Sequence, residues 1–268
     1  AVSMKRASSK CSPGGESAMS FPEATYRFFG DLIDLLNDKP SSGVVVRTFD
    51  GSPNVKDQIE ACGVPHTEVD LILANGQSVG FHHRVVNGDV ISVYPRFESL
   101  DISTVSRVRP EPLPETLFVV DVNLGKLTKY LRLLGFDALA DGNLEDAELA
   151  TTSVEQGRIL LTRDRPLLKR AIVTHGYLVR STEPARQIVE VLRRFDLAGS
   201  VDPFSRCMEC NGLVRPVEKR DIEHLLEPLT RKHFDDFTQC EGCGRIFWRG
   251  SHFNRLRNVI DEILANLA

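Results

Sequence analysis

Residues 117–121 read LFVVD, an apolar run that ends in a carboxylate. Directly after it, leucines recur at helical spacing between Leu124 and Leu134, and Gly135 is placed to end a helix. The pattern therefore predicts a buried strand that leads through a short loop into an amphipathic helix.

The same alternation continues downstream. Further strands are predicted at residues 136–140, 158–162 and 176–180, and helices at residues 144–156, 166–174 and 184–195. Strands that alternate with helices imply a parallel sheet covered on both faces. The chain from residue 116 is therefore predicted to begin with an α/β domain.

Three acidic residues follow this pattern closely. Asp121 ends the first predicted strand, Asp164 follows the third, and Asp146 lies near the start of the helix that precedes the third strand. Groups at the carboxyl ends of parallel strands face one crevice, and carboxylates are the ligands that magnesium and manganese prefer. The alternative is that these residues only cap helices. Asp141, Glu145 and Glu148 are nearby, and spacing does not rank them.

Two CxxC pairs stand in the C-terminal part, Cys207 with Cys210 and Cys240 with Cys243. This spacing is typical of a zinc ribbon, in which four thiolates fill a tetrahedral site and make the metal structural. Reduced structural thiols or a redox CxxC are the alternatives.

Basic side chains occur near the three acidic residues and near the cysteine pairs. The candidate nucleic-acid-binding residues are Lys126, Lys129, Arg132, Arg163, Arg249, His252 and Arg255. The first three are expected on the helix face away from the leucines, and the last three are interleaved with aromatic residues. Basic and aromatic residues together suit a single-stranded nucleic acid. The alternative is a solvated helix face with core aromatics.

The segment at residues 21–97 has a strand rhythm of its own. A strand is expected at residues 43–49, a helix that opens with Asn54 as a possible N-cap, a turn at Asn75–Gly76 and a last strand in GDVISVYP. This order resembles a ubiquitin-like β-grasp domain of the sulfur-carrier type. The last strand runs into PRFESLDIS without a terminal Gly-Gly, which argues against carrier chemistry and for a docking or substrate-holding role.

Composition sets further bounds. The net charge of −4 gives no global basic signature, so a nucleic acid would need a local patch. No membrane-length apolar run and no secretory signal occur, so a cytoplasmic protein with no membrane contact is expected. The predicted organisation is a disordered tail at 1–20, a β-grasp domain at 21–97, a proline-containing linker at 98–115, the α/β domain at 116–200 and a zinc ribbon with a C-terminal helix at 201–268.

Five blocks occur in order: DVNLGKLTKYLRLLGFDALAD, EDAEL, GRILLTRDRPL, SRCMECNG and CEGCGRIFWRGSHFNRLRNVI. Together they resemble the mutator-seven C-terminal RNase family. The resemblance implies a PIN-like RNase domain with a zinc ribbon, preceded by a ubiquitin-like domain. It assigns the catalytic magnesium or manganese to Asp121, Asp146 and Asp164, and the structural zinc to Cys207, Cys210, Cys240 and Cys243.

The leading hypothesis is therefore a metal-dependent ribonuclease that acts on RNA. The alternative is a catalytically weak RNA- or ribosome-binding adaptor. A third, a β-grasp sulfur-transfer accessory, is disfavoured by the missing Gly-Gly. The N-terminal domain is expected to contact the ribosome or another protein, and to be removable without unfolding the rest.

Overall fold

The computed structural model describes residues 21–38, 40–97, 100–108, 111–142 and 144–267. These residues form three sheets, of five, four and three strands. The predicted disordered tail and part of the predicted linker lie outside the described residues. No helix in the described part of the chain is both long and apolar enough to cross a bilayer.

The N-terminal unit is a β-grasp fold, as predicted. Its elements are β1 (Glu23–Phe28), β2 (Val44–Thr48), α1 (Val55–Ala61), β3 (Leu71–Ala74), β4 (Gln77–Ser78) and β5 (Val90–Tyr94), with 3₁₀ helices at Gly30–Leu35 and His66–Glu68. The strand order is β2-β1-β5-β3-β4, and β1 pairs with β5 in parallel. Asn75 and Gly76 turn between β3 and β4 with positive φ angles. Asn54 precedes α1 as predicted, but its side chain makes no capping hydrogen bond.

The central unit is the predicted parallel α/β sheet. Its elements are β6 (Phe118–Val120), α2 (Gly125–Leu133), β7 (Ala138–Leu139), α3 (Asp146–Glu155), β8 (Ile159–Thr162), α4 (Arg165–Leu168), β9 (Gly176–Leu178) and α5 (Pro184–Arg194). The order is β7-β6-β8-β9, all parallel. Helix α4 is shorter than predicted, because the chain turns after it to bury Val173 before β9.

The C-terminal unit is a three-stranded antiparallel ribbon followed by a helix. Its elements are β10 (Val214–Val217), α6 (Lys219–Ile222), α7 (Pro228–His233), β11 (Phe237–Cys240), β12 (Ile246–Trp248) and α8 (Ser251–Ala265). Helix α8 is the predicted C-terminal helix, and it begins at Ser251. It buries Ile260 and Ile263 in the core that covers one face of the central sheet.

The N-terminal unit shares a hydrophobic core with the opposite face of that sheet. It also covers the edge strand β9, because the Leu178 amide donates to Glu68 at 2.8 Å and the His66 ring lies 2.7 Å from the Val173 carbonyl oxygen. The expectation that this unit can be removed freely is therefore not supported by the packing. Its removal would expose apolar side chains and an unpaired strand edge.

We expect Glu68→Ala to lower the free energy of unfolding by about 1–3 kcal/mol, because it leaves the Leu178 amide without an acceptor in a buried place. Amide hydrogen exchange of β9 should accelerate. Glu23→Ala, at an exposed position in β1, is the control and should leave both quantities near the parent values. Parent-like exchange of β9 in Glu68→Ala would mean that the two units are independent.

Candidate functional site

The first candidate site is the edge where β6 and β8 end. The two strands are parallel neighbours, so Asp121 and Asp164, which follow them, emerge on the same side of the sheet. The Asp121 amide still continues the ladder by donating to the Leu161 carbonyl oxygen at 3.0 Å. The backbone of Asp121 is therefore fixed by the sheet.

The side chain of Asp121 is fixed as well. It is only 6% exposed. Its Oδ1 accepts from the backbone amide of Asn123 at 3.1 Å and from the Asn123 side-chain amide at 3.2 Å. Its Oδ2 accepts from the Thr162 hydroxyl at 2.7 Å. Asp121 thus caps the 3₁₀ helix Val122–Leu124, so the capping alternative is correct for this residue without excluding a metal role.

Thr162 was not singled out from the sequence. Its hydroxyl donates to Asp121 and accepts from the Asp164 amide at 2.9 Å, so it links the two strand-end acids. The signal that could have revealed it is a polar residue at the end of an otherwise apolar strand, directly before a candidate acid.

The three acids share one electrostatic environment. Asp146 is the exposed first residue of α3, and Asp164 is half-buried at the start of α4. Burial raises the pKa of Asp164 above its usual value, and the negative charges of Asp146 and Asp121 raise it further. A cation at this edge would relieve that repulsion.

The acids do not converge into a closed cage. Among the described residues, only the four cysteines form a group of three or more ligands close enough to hold one metal directly. Asp141 and Glu145 are exposed, and Glu148 accepts from the Glu145 amide at 2.9 Å, which gives it a helix-start role. Any ion bound at this edge would therefore keep part of its water shell.

The second candidate site is the cluster of Cys207, Cys210, Cys240 and Cys243, whose sulfurs all lie within 4.8 Å of one another. The Cys207–Cys243 and Cys210–Cys240 sulfur distances are 3.8 and 3.3 Å. Ligand sulfurs around a tetrahedral zinc ion lie roughly 3.8 Å apart, since each is about 2.3 Å from the metal. The cluster can therefore hold a structural metal such as zinc.

Two glycines allow the two CxxC segments, called the cysteine knuckles, to pack closely against each other. A Cβ at Gly212 would lie 3.0 Å from the Cys240 sulfur, and one at Gly242 would lie 3.3 Å from the Cys210 sulfur. Burial raises the pKa of the Cys207 thiol to about 11, so a cation is needed to stabilise its thiolate near neutral pH.

The prediction that Arg132 binds RNA is wrong. Arg132 is buried, and its guanidinium donates to the carbonyl oxygens of Ala138, Met208 and Glu209 at 2.8, 3.1 and 2.7 Å. It joins α2 to the first cysteine knuckle. A long aliphatic stem with a polar head allowed this residue to lie inside, although helical spacing indicated the polar face.

The other predicted RNA-binding residues lie at two places. Lys126 and Arg163 are exposed beside the carboxylate edge, and Lys129 is half-exposed in an ion pair with Glu209 at 3.1 Å. Arg249 and His252 line a groove of about 1160 Å³ between the ribbon and α8, and Arg255 is exposed on the next turn of α8.

Aromatic rings line the ribbon groove. The Arg249 guanidinium lies 6.0 Å from the ring centre of Phe253, which itself stacks on Phe204 at 4.4 Å. Trp248 is 39% exposed and lines the same groove. The groove therefore combines basic side chains with one partly exposed aromatic ring, Trp248, and its lining also includes the acids Glu218, Asp235 and Asp236.

These features define the class of protein: a parallel α/β domain with acids at its carboxyl edge, joined to a four-cysteine ribbon and a β-grasp unit. The Mut7-C RNAse domain model matches residues 116–260, more than half of the chain, and the Mut7-C ubiquitin model matches residues 21–101. The chain belongs to the Mut7-C RNAse domain family.

One curated relative is the human exonuclease mut-7 homolog, which is 38% identical over 99 residues. That match covers 35% of this chain and only 11% of the human protein. The crystal structure of SAMP1 from Haloferax volcanii aligns with 29% of this chain and 99% of its own, at 18% identity and a TM-score of 0.24.

Proposed function

We propose that this protein is a metal-dependent ribonuclease that hydrolyses RNA phosphodiester bonds at the carboxylate edge. The observation that carries the proposal is that Asp121 and Asp164 follow neighbouring parallel strands at one edge of the sheet and are linked through Thr162. The negative charges of Asp146 and Asp121 also raise the pKa of Asp164, which supports a cluster suited to a cation. Membership of an RNase family supports the same reading. The three acids would hold magnesium or manganese.

The division of roles follows from how each acid is held. Asp121 is fixed by Thr162 and Asn123, so it presents its carboxylate in one orientation. Asp164 is oriented through its amide, and Asp146 is free to adjust at the surface. A bound magnesium or manganese ion would orient a water molecule and offset charge on the phosphate. Such ions usually bind through one or two carboxylates and retain several waters, which suits an open set of acids.

The four cysteines are proposed to hold one structural zinc ion, because they fill all tetrahedral positions and leave none for a reacting water. Zinc would then hold the ribbon groove in shape rather than take part in cleavage.

RNA is the proposed partner. In this proposal Lys126 and Arg163 would contact phosphates near the carboxylate edge. Arg249 and His252 would contact a single strand along the ribbon groove, and Arg255 would do so from the next turn of α8. A cytoplasmic location, a ribosomal or protein partner for the N-terminal unit and the domain bounds given above stay predictions.

A direct test is cleavage of end-labelled single-stranded and duplex RNA by the purified protein. Products should form with manganese or magnesium and be absent with a chelator. The open arrangement of the acids favours one alternative, a catalytically weak RNA-binding adaptor. Tight RNA binding without products under any metal would establish that alternative.

For RNA binding we expect Arg249→Ala to weaken affinity and to reduce the slope of log K against log salt by roughly one unit, because one phosphate contact is lost. Fluorescence anisotropy of a labelled single strand, measured over a salt series, gives both quantities. Arg220→Ala, at an exposed position outside the groove, is the control. If the two variants gave the same salt slope as the parent, the ribbon groove would not be the RNA-binding surface.

A further inference from the structure

A second groove, of about 930 Å³, lies between the N-terminal unit, α5 and the end of α8. Five arginines line it: Arg96, Arg180, Arg186, Arg193 and Arg194. The chain as a whole carries a net charge of −4, so this is a local concentration of positive charge. Neither the RNA-binding residues expected from the sequence nor the carboxylate edge includes it.

One of these arginines builds the wall of the groove. Arg180 pairs with Asp31 and, at 3.0 Å, with Glu68, both from the N-terminal unit. Its two carboxylate partners neutralise it. Arg180 therefore fixes the N-terminal unit against β9 and is not expected to bind a ligand.

Arg186 and Arg194 are available for a ligand. Arg186 is exposed, and its side chain makes no hydrogen bond or ion pair within the described part of the chain. The Arg194 guanidinium lies 5.3 Å from the ring centre of Tyr177, and its buried Nε has no hydrogen-bond partner among those residues. An arginine held over an aromatic ring is oriented in advance, so it loses less freedom on binding an anion.

Two of the acids in the groove are already engaged. Glu190 accepts from the Tyr177 hydroxyl at 2.8 Å and from the amides of Arg180 and Ser181 at 2.7 and 3.0 Å. Asp31 is paired with Arg180. These two carboxylates are therefore held by the wall of the groove. The third acid, Glu262, is exposed on α8, so five arginines face three acids and the groove carries a net positive charge.

The groove begins beside the carboxylate edge. Thr162 and Leu178 are paired residues on the neighbouring strands β8 and β9. Asp164 and Arg180 each lie two residues further along, so they leave the same side of the sheet on strands about 4.8 Å apart. Arg180, in the wall of the groove, therefore lies at the same edge of the sheet as Asp164.

We propose that this groove binds the phosphates of single-stranded RNA, on the strand that extends from the carboxylate edge. The proposal rests on the proposed ribonuclease function for the identity of the polyanion. Planar arginine forks match phosphate oxygens, and phosphate contacts position a strand without reading its sequence. Binding here would therefore be independent of base sequence and strongly dependent on salt.

The test is binding of a labelled single-stranded oligoribonucleotide to the full chain in chelator, so that no cleavage is needed. Arg186→Glu should weaken binding about tenfold and lower the salt slope by roughly one to two units. Arg194→Lys keeps the charge but removes the fork, so it should have a smaller effect in the same direction. Arg220→Glu is the matched control, and thermal denaturation checks that each variant is folded.

The outcomes separate this proposal from the ribonuclease proposal. If the parent cleaves RNA but Arg186→Glu and Arg194→Lys bind it as the parent does, the arginine groove is not an RNA site. If the parent never cleaves but Arg186→Glu still weakens binding, the groove proposal stands and the ribonuclease proposal fails. Equal competition by polyglutamate and by RNA would overturn RNA in favour of an acidic protein segment.

Discussion

Asp164→Asn is expected to abolish metal-dependent cleavage of RNA while leaving the melting temperature unchanged or slightly higher. The substitution preserves the shape of the side chain and removes its charge. Because burial, Asp146 and Asp121 raise the pKa of Asp164, keeping it ionised costs the folded state free energy at neutral pH. Asparagine removes that cost and also removes a ligand for the cation.

Two measurements are needed for this variant: the cleavage rate in manganese and the melting temperature in chelator. We expect the rate to fall by about 10³-fold, as for the loss of a group that stabilises charge on the reacting phosphate. RNA binding in chelator should persist, because the basic residues are unchanged. Asp261→Asn, exposed on α8, is the matched control and should cleave as the parent does. If Asp164→Asn cleaved RNA at the parent rate, we would conclude that the acids at the strand ends serve only as helix caps.

Asp121→Asn would be a poorer test of the same idea. Asp121 is buried and accepts three hydrogen bonds, so the amide would place an NH₂ group against a donor. Loss of activity in that variant would mix the loss of a ligand with the loss of local structure. Asp164 separates the two effects because its side chain is only half-buried.

The strand ends were predictable from the sequence because apolar runs and their terminal acids obey a local pattern. The stretches LFVVD and ILLTRD predicted two parallel strands, which are β6 and β8. Because parallel strands have their carboxyl ends at one edge of the sheet, the shared edge was predicted as well. The cysteine cluster was predictable for a similar reason, since ligand spacing within each knuckle is local. Thr162 was missed because its role depends on a neighbour from another strand.

The packing of the units was not predictable. Glu68 and His66 were not singled out from the sequence, yet both are buried where the N-terminal unit contacts β9 and the segment before it. Helical spacing predicted that Arg132 is exposed. It is buried instead, because two carbonyl oxygens of the first cysteine knuckle accept hydrogen bonds from it. In each case a distant segment of chain supplies the partner. Periodicity carries no information about that segment.

The hydrogen bonds of Arg132 connect the cysteine cluster to the central domain. The acceptors of Arg132 on Met208 and Glu209 belong to the knuckle between Cys207 and Cys210. If the knuckle unfolds, Arg132 is left buried in α2 with part of its hydrogen bonding lost. Damage at the cysteine cluster should therefore spread into the central domain.

Cys240→Ser is accordingly expected to cause the largest loss of stability among these variants. Zinc binding is coupled to folding, and a site that keeps three thiolates binds the metal far more weakly. We expect zinc content to fall from one ion per chain to near zero. The free energy of unfolding should fall by several kcal/mol, since zinc contributes on the order of 10 kcal/mol in small zinc domains.

Trp248 provides the spectroscopic measurement, because it pairs with Phe237 across β11 and β12 and is the only tryptophan in the chain. Its fluorescence should change at a lower denaturant concentration in Cys240→Ser, and chelator should reproduce the shift in the parent. Cys62→Ser is the control for metal content, because Cys62 is buried in the N-terminal unit, away from the cluster. It should retain zinc even if it is less stable. A parent protein that contains no metal, or a Cys240→Ser variant as stable as the parent, would show that the four cysteines are simply reduced thiols.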